Sequence, residues 1–300
     1  ALSLLPSHSP VDIDMTAVLD MEITRLTMVA GFFAQKDFSI LTTNQEDGLI
    51  ELLKSLNQAG AVFSWDQEGI RHTPGSNLEF GNKTIFPGQD PLTLYLLVCL
   101  SLLQAGICKF SGSSKLKLLD FDPLFNLISQ LGVRVVSLIP QSNNLPFRLE
   151  CSGQLPESAH LSSLTSPELA MSLALIAPLN KNGLRITWED DWADAESLQK
   201  VGKLLHEFNI SVEIKENQAW ISPGNFSFPD KLQIPMDPVL NSFLLAFVQV
   251  LGGKVCLNGY WPEKSRKAQV LENILTSCGL NLEKSDCFIR SFQGKLPDKR

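Results

Sequence analysis

Four stretches of this chain are apolar on every side and long enough to make a helix, and each leads into a short β-rich run. They are TRLTMVAGFFA (24–34) before FSILTT, LTLYLLVCLSLLQAG (92–106) before ICKFSG, LAMSLALIAPLNKNG (169–183) before LRITW, and FLLAFVQVLGG (243–253) before KVCLNG. A helix without a polar face cannot lie on a surface and has to be surrounded. A single unit of this kind cannot surround its own helix. Several units must therefore pack with these helices inward and their sheets outside.

Each unit continues with a second, amphipathic helix: GLIELLKSLNQAG, DPLFNLISQLG, SLQKVGKLLHEFN and VLENILTSCG. These have a polar face and belong nearer the solvent. Gly60, Gly132, Asn209 and Gly279 stand where each helix would end on a left-handed residue. A pair of strands follows each of them. The units recur about every 70–75 residues, longer than common solenoid repeats. The fold class predicted is α/β, assembled from repeated units.

With 300 residues, 44% of them hydrophobic, the chain can bury one large core or two ordinary ones. Its net charge of −7 excludes a nucleic-acid backbone as partner, because such binding needs clustered Lys and Arg. The densest basic run, EKSRK at 263–267, reads as a solvated face. The six cysteines form no CxxC pair, and Cys99 and Cys108 sit in apolar surroundings, so all are expected to be reduced. The histidines, His8, His72, His160 and His206, are scattered without metal-ligand spacing. No metal or cofactor site is expected. ALSLLPSHSP at the start lacks the basic and apolar regions of a signal peptide, and LTLYLLVCLSLL (92–103) is too short to cross a bilayer. A cytoplasmic protein is expected, or a plastid one after loss of a transit peptide.

Three segments carry a family resemblance. SPELAMSLALIAPL (166–179) resembles S-S-Q-x-x-x-A-L-L-x-A-P-L, and DPVLNSFLLAFVQVLGGKV (237–255) resembles D-A-S-S-A-S-Y-F-L-A-A-A-A-x-x-G-G-x-V. FPGQDPLTLYLLVCL (86–100) stands where L-G-N-A-G-T-A-M-R-P-L is expected. On these segments the chain resembles the enolpyruvyl transferases, the EPSP synthase-like members most closely. The resemblance implies βαβαββ units with buried parallel helices, three to a domain. It implies one complete three-unit domain at 15–225 and a partial second domain from 1–14 plus 226–300. It also implies a cationic pocket between domains, where phosphoenolpyruvate and shikimate 3-phosphate are joined with loss of phosphate.

The residues that would make this pocket cationic are replaced. Where the family has G-S-K-S-x-S-N-R, this chain has VLDMEITR (18–25): Asp20 takes the lysine position and Arg25 is kept. N-A-G-T becomes Gln89, Asp90, Pro91 and Leu92, and proline has no N–H to offer a phosphate. R-M-K-E-R-P becomes KLKLLD, from Lys115 to Asp120, with Leu119 in place of an arginine. S-S-Q becomes Ser166, Pro167 and Glu168, and S-K-P becomes Asp194, Ala195 and Glu196. A carboxylate about 5 Å from a unit negative charge opposes it by roughly 3 kcal/mol at an effective dielectric near 20. Asp20, Glu168 and Asp194 together outweigh one arginine. These positions, with Arg25, Gln89, Asp90, Lys115 and Ser166, are expected to be a vestigial substrate cleft. Asp237, which matches a family aspartate, is expected to cap the helix before FLLAF.

The family's catalytic carboxylate and its K-E-x-x-R segment belong to fifth and sixth units, and this sequence ends after the fourth, at GKLPDKR. No catalytic residue is therefore assigned. The first reading is a non-catalytic relative that binds, scaffolds or regulates. Its partial domain would be covered by a protein partner or by further copies of itself, because uncovered apolar surface marks an interface. The alternative is an active 3-phosphoshikimate 1-carboxyvinyltransferase completed by another chain or by sequence beyond residue 300. A third reading is a module for another small molecule, with Arg25, Gln89 and Trp192 lining a polar cleft; against it, Trp192 simply covers the sheet.

Overall fold

The computed structural model describes residues 10–42, 46–190, 192 and 194–294. The chain opens with β1 (Val11–Thr16), α1 (Met21–Phe33) and β2 (Phe38–Leu41), then α2 (Asp47–Ala59), β3 (Phe63–Trp65) and β4 (Gly69–His72). Next come β5 (Thr84–Ile85), α3 (Pro91–Ser101), β6 (Ala105–Phe110), α4 (Asp122–Gln130), β7 (Arg134–Ser137) and β8 (Phe147–Ser152). β9 (Ser158–Leu161), α5 (Pro167–Ile176), β10 (Leu184–Trp188), α6 (Ala195–Glu207), β11 (Val212–Lys215) and β12 (Gln218–Ile221) follow. The last elements are α7 (Pro238–Leu251), β13 (Gly253–Asn258), α8 (Arg266–Ser277), β14 (Leu280–Ser285) and β15 (Phe288–Gln293).

Three four-stranded sheets share one plan: β5-β6-β8-β7, β9-β10-β12-β11 and β1-β13-β15-β14. In each, the first two strands pair in parallel and the rest antiparallel. A parallel neighbour needs a crossover, and α3 supplies it between β5 and β6 and α5 between β9 and β10. A three-stranded sheet, β2-β4-β3, accompanies α1 and α2. The chain divides into two compact units, with one break inside α1 between Thr24 and Arg25 and another between Leu232 and Gln233. The larger unit holds residues 25–41 and the described part of 46–232, and the smaller holds 10–24, Thr42 and 233–294.

In the larger unit α3 packs on α5, and α2 and α6 flank them. Every residue of α3 from Leu92 to Ser101, and of α5 from Leu169 to Ile176, is buried. Both helices start on proline behind a capping side chain. Asp90 accepts from the Thr93 N–H at 2.7 Å, and Ser166 accepts from the Leu169 N–H at 3.3 Å. These caps satisfy donors that a buried helix start could not otherwise satisfy. The amphipathic helices end as their sequences predict, on positive φ at Gly60 (119°), Gly132 (75°), Asn209 (62°) and Gly279 (87°).

The smaller unit packs Trp261, Met236, Leu245, Val248, Leu257 and Ile289 into one core. Asp237 caps α7, accepting from the N–H groups of Val239 (2.7 Å) and Leu240 (3.0 Å). Asn241 grips the backbone of Val18 in both directions: its carbonyl accepts from the Val18 N–H at 3.0 Å and its amide donates to the Val18 carbonyl at 2.7 Å. Among the described residues α7 is not surrounded as α3 and α5 are. It buries Asn241, Ser242, Leu245 and Val248 but leaves Phe243 and Val250 67% and 75% exposed. Within its unit, α7 packs on α8 and on β13, β14 and β15, which cover only its inner side.

Candidate functional site

Arg25, on α1, is the retained basic residue of the expected cleft, and its side chain is only 7% exposed. A guanidinium taken that far from water needs counter-charge. Asp90 supplies it, with Oδ2 2.5 Å from Arg25 Nη1, while Glu46 Oε2 lies 3.4 Å from Nη2. Asp90 thus serves twice, as cap of α3 and as counter-ion. Glu46 stands at the N-cap position of α2 but makes no side-chain cap bond there. Gly48 makes room for the pair: a Cβ at that position would come within 2.7 Å of Arg25 Nη1 and 3.1 Å of Asp90 Cγ. Thr93 Oγ1 donates to the Gly48 carbonyl at 3.1 Å, tying the start of α2 to the start of α3.

The loop between β5 and α3 is also turned inward. The Gln89 N–H, the kind of donor that holds a phosphate oxygen, donates to Glu51 Oε2 at 2.9 Å. Gly88 has φ +73°, and a Cβ there would lie 1.9 Å from Glu51 Cδ, so the glycine admits the carboxylate. Pro91 removes a further N–H from the same segment. A cleft of about 300 Å³ opens beside these groups, lined by Glu46, Asp47, Gln89, Asp90, Lys115 and Leu119 among others. Its charged lining is three carboxylates and one ammonium.

Ser166 and Glu168 sit at the head of α5, within hydrogen-bond and electrostatic reach, respectively, of Tyr95. Tyr95 is buried on α3. Burial pushes its phenol above its ordinary range, a hydrogen bond with Ser166 opposes that, and the carboxylates of Glu168 and Asp120 push it further up. The arginine of L-G-N-A-G-T-A-M-R-P-L falls on Tyr95, so a neutral hydroxyl stands at another cationic position. Asp194 precedes α6 and makes no side-chain cap bond. Asp20 belongs to the smaller unit, where its carboxylate accepts from the N–H groups of Glu22 and Ile23, both at 3.1 Å, and so caps α1.

Of the expected positions, Gln89, Asp90 and Lys115 line one cleft in the larger unit and Arg25 is paired with Asp90, while Ser166 bonds Tyr95 and the Glu168 carboxylate acts on it through charge. Trp192 does not line a polar cleft. It is 4% exposed, and its indole N–H donates to the Thr165 carbonyl at 2.9 Å. Glu46 and Glu51 were missed because nothing in EDGLIELLKSL (46–56) separates an inward carboxylate from one on a solvated face. Only the pairing of Glu46 with Arg25 and of Glu51 with the 86–90 loop reveals them. Among the described residues, no group of three or more His, Cys, Asp or Glu is placed to hold a metal ion. No described helix is long and apolar enough to cross a membrane. Burial raises the Cys108 thiol to about 12 and the Cys151 thiol to about 11 and pushes Cys99 up strongly, so these three are poor nucleophiles.

Comparison with known proteins converges on one family. The family model for EPSP synthase (3-phosphoshikimate 1-carboxyvinyltransferase) matches residues 20–299. The 3-phosphoshikimate 1-carboxyvinyltransferase of Methanothermobacter thermautotrophicus is 22% identical over 243 residues, covering 80% of this chain and 57% of that enzyme. The one from Methanospirillum hungatei is 22% identical over 289 residues, covering 94% and 66%. Among solved structures, EPSP synthase from Acinetobacter baumannii superposes with a TM-score of 0.76 at 14% identity, over 96% of this chain and 66% of that one. The chain therefore shares their fold and spans between half and two thirds of the length of such relatives.

Proposed function

The chain belongs to the EPSP synthase family, and from that premise we propose that it is a non-catalytic member, a binding, scaffold or regulatory protein whose inherited anion site is closed by its own carboxylates. The observation that carries this reading is the pairing of Arg25 with Asp90 and Glu46. The family's substrates are anions, and the cation kept to meet them already has two counter-ions. Glu51 fills the neighbouring backbone donor in the same way. An incoming phosphate would have to displace these carboxylates while facing their charge, each opposing it by roughly 3 kcal/mol at about 5 Å and an effective dielectric near 20.

The second reading, a working 3-phosphoshikimate 1-carboxyvinyltransferase, is favoured by the family match itself, since the matched relatives carry that name. Thermal unfolding with and without shikimate 3-phosphate and phosphoenolpyruvate, at millimolar ligand and low salt, separates the two. A ligand present at 100 times its Kd stabilises the folded state by about 2.7 kcal/mol. No shift of the midpoint is expected. A clear upward shift with either ligand overturns the proposal and returns the enzyme reading.

A further inference from the structure

His72 holds the inner face of the β2-β4-β3 sheet together. It lies on β4, in register with Phe38 of β2 on one side and Phe63 of β3 on the other. Residues in register share a face of a sheet, and the two rings lie 5.2 and 4.9 Å from the imidazole, while Phe32 of α1 closes over it at 5.4 Å. His72 is fully buried, whereas His160 and His206 are exposed. Its Nδ1 lies 3.1 Å from the Lys36 carbonyl. A carbonyl only accepts, so Nδ1 carries the ring proton and Nε2 the lone pair. Among the described residues, Nε2 has no hydrogen-bond partner.

We propose that His72 is a proton-operated latch: when its ring is protonated, the β2-β4-β3 sheet opens locally from α1 while the two four-stranded sheets of the larger unit stay closed. A second proton on the closed ring would place a charge and a new donor among phenylalanines, with nothing to accept from Nε2. The elements around the ring offer little relief. α1, β2 and β3 each bring a phenylalanine, and the turn from α1 to β2 brings the Lys36 carbonyl and Asp37, which favour the charged ring but are outweighed by burial. The Lys36 ammonium lies over the Phe228 ring instead. On β4 itself Arg71 alternates to the other face, where it pairs with Glu68 and Asp66. Opening the sheet lets water solvate the imidazolium. Its strands are only three or four residues long, so local opening costs less here than in longer ladders. Phe38 also stacks on Phe228 at 4.9 Å, so the opening loosens the segment after β12 as well. The latch shares no residue with the cleft beside Arg25, so the two proposals fail separately.

The test is hydrogen–deuterium exchange of the full chain at about pH 7.5 and 5.5, read by mass spectrometry and corrected for the intrinsic pH dependence of amide exchange, with His72→Phe as the variant. The amides of β2, β3 and β4 are expected to open up to about tenfold more often at the lower pH, the most that one group of ordinary pKa 6.5 can contribute over this range. Those of β6, β8, β10 and β12 are expected to keep their protection. In His72→Phe the three strands are expected to stay protected at both pH values. A long-range proton–nitrogen spectrum of the wild-type imidazole supplies a reading that needs no variant: the Nδ1–H tautomer at neutral pH, protonated in step with the loss of protection. A rise below about twofold in β2, β3 and β4 overturns the proposal, as does an equal rise in every sheet or an acid response that survives in His72→Phe. A ring that takes up its proton while the three strands stay protected overturns it too.

Discussion

Asp90→Asn is the most informative change in the larger unit. Asparagine is as good a helix cap as aspartate, so the bond to the Thr93 N–H survives and only the charge is lost. Arg25, 7% exposed, keeps Glu46 at 3.4 Å, but that carboxylate is 45% exposed and largely solvated. At 2.5 Å the direct attraction is about 6–7 kcal/mol at an effective dielectric near 20. Removing one member of a buried pair costs about 3–5 kcal/mol. With Glu46 compensating in part, a loss of about 2–3 kcal/mol is expected. Urea unfolding reads this as a lower midpoint at unchanged m. The double variant with Arg25→Met should recover most of the loss, because the neutral pair leaves no buried charge uncompensated. The same Asp90→Asn chain should be stabilised by inorganic phosphate more than the wild type, since one of the carboxylates that repel it beside Arg25 is then neutral. A loss below about 0.5 kcal/mol, with no coupling to Arg25→Met, would refute the view that Arg25 is held as an internal ion pair.

Two further outcomes follow from individual residues. Gly88→Ala should destabilise by about 2 kcal/mol or more, because its Cβ meets Glu51 and its φ of +73° suits glycine; adding Glu51→Ala should relieve the clash and leave only the backbone strain of about 1–2 kcal/mol, read by the same urea titration. Burial holds the His72 imidazole below its ordinary 6.5, against the opposing effects of the Lys36 carbonyl and Asp37. The unfolded chain therefore takes up a proton first, so the stability this group contributes is complete above 6.5 and falls as pH drops through 6.5 towards the folded value, by up to about 1.4 kcal/mol per pH unit. His72→Phe, which suits neighbours Phe32, Phe38 and Phe63, should flatten the midpoint-against-pH curve between neutral and mildly acid pH; an unchanged curve would place the acid sensitivity elsewhere.

Much of the architecture was legible because it rests on local signals. All-apolar runs mark the buried helices α3 and α5, and proline behind Asp90 and Ser166 marks their starts. Left-handed glycines and Asn209 mark the ends of the amphipathic helices. α7 carries the same signal without being surrounded among the described residues. Its sequence is as apolar as that of α3, but whether a helix is surrounded depends on what packs around it, and that is not a property of the helix. The cleft was half legible. Of the residues that line it, motif spacing points to Gln89, Asp90 and Lys115, and to Arg25, which pairs with Asp90. It does not point to Glu46, Glu51 or Tyr95, since their meaning lies in contacts between segments distant in sequence.

A retained arginine in a rewritten site invites the inference that some anion binding is retained with it. The geometry around Arg25 points the other way. Were Arg25 kept for an external anion, its surroundings would be donors and space, and the start of α3 would offer free N–H groups. Instead Gly48 gives up a side chain to let Asp90 reach the guanidinium, Gly88 gives up one to let Glu51 reach the Gln89 N–H, and proline stands at the first turn of α3. On the reading proposed above, each adjustment places a carboxylate, or removes a donor, where an anion would have to bind. The arginine is then explained by the fold alone: it joins α1 to the starts of α2 and α3 through Glu46 and Asp90, and losing it would leave Asp90 as an uncompensated charge at the edge of the core.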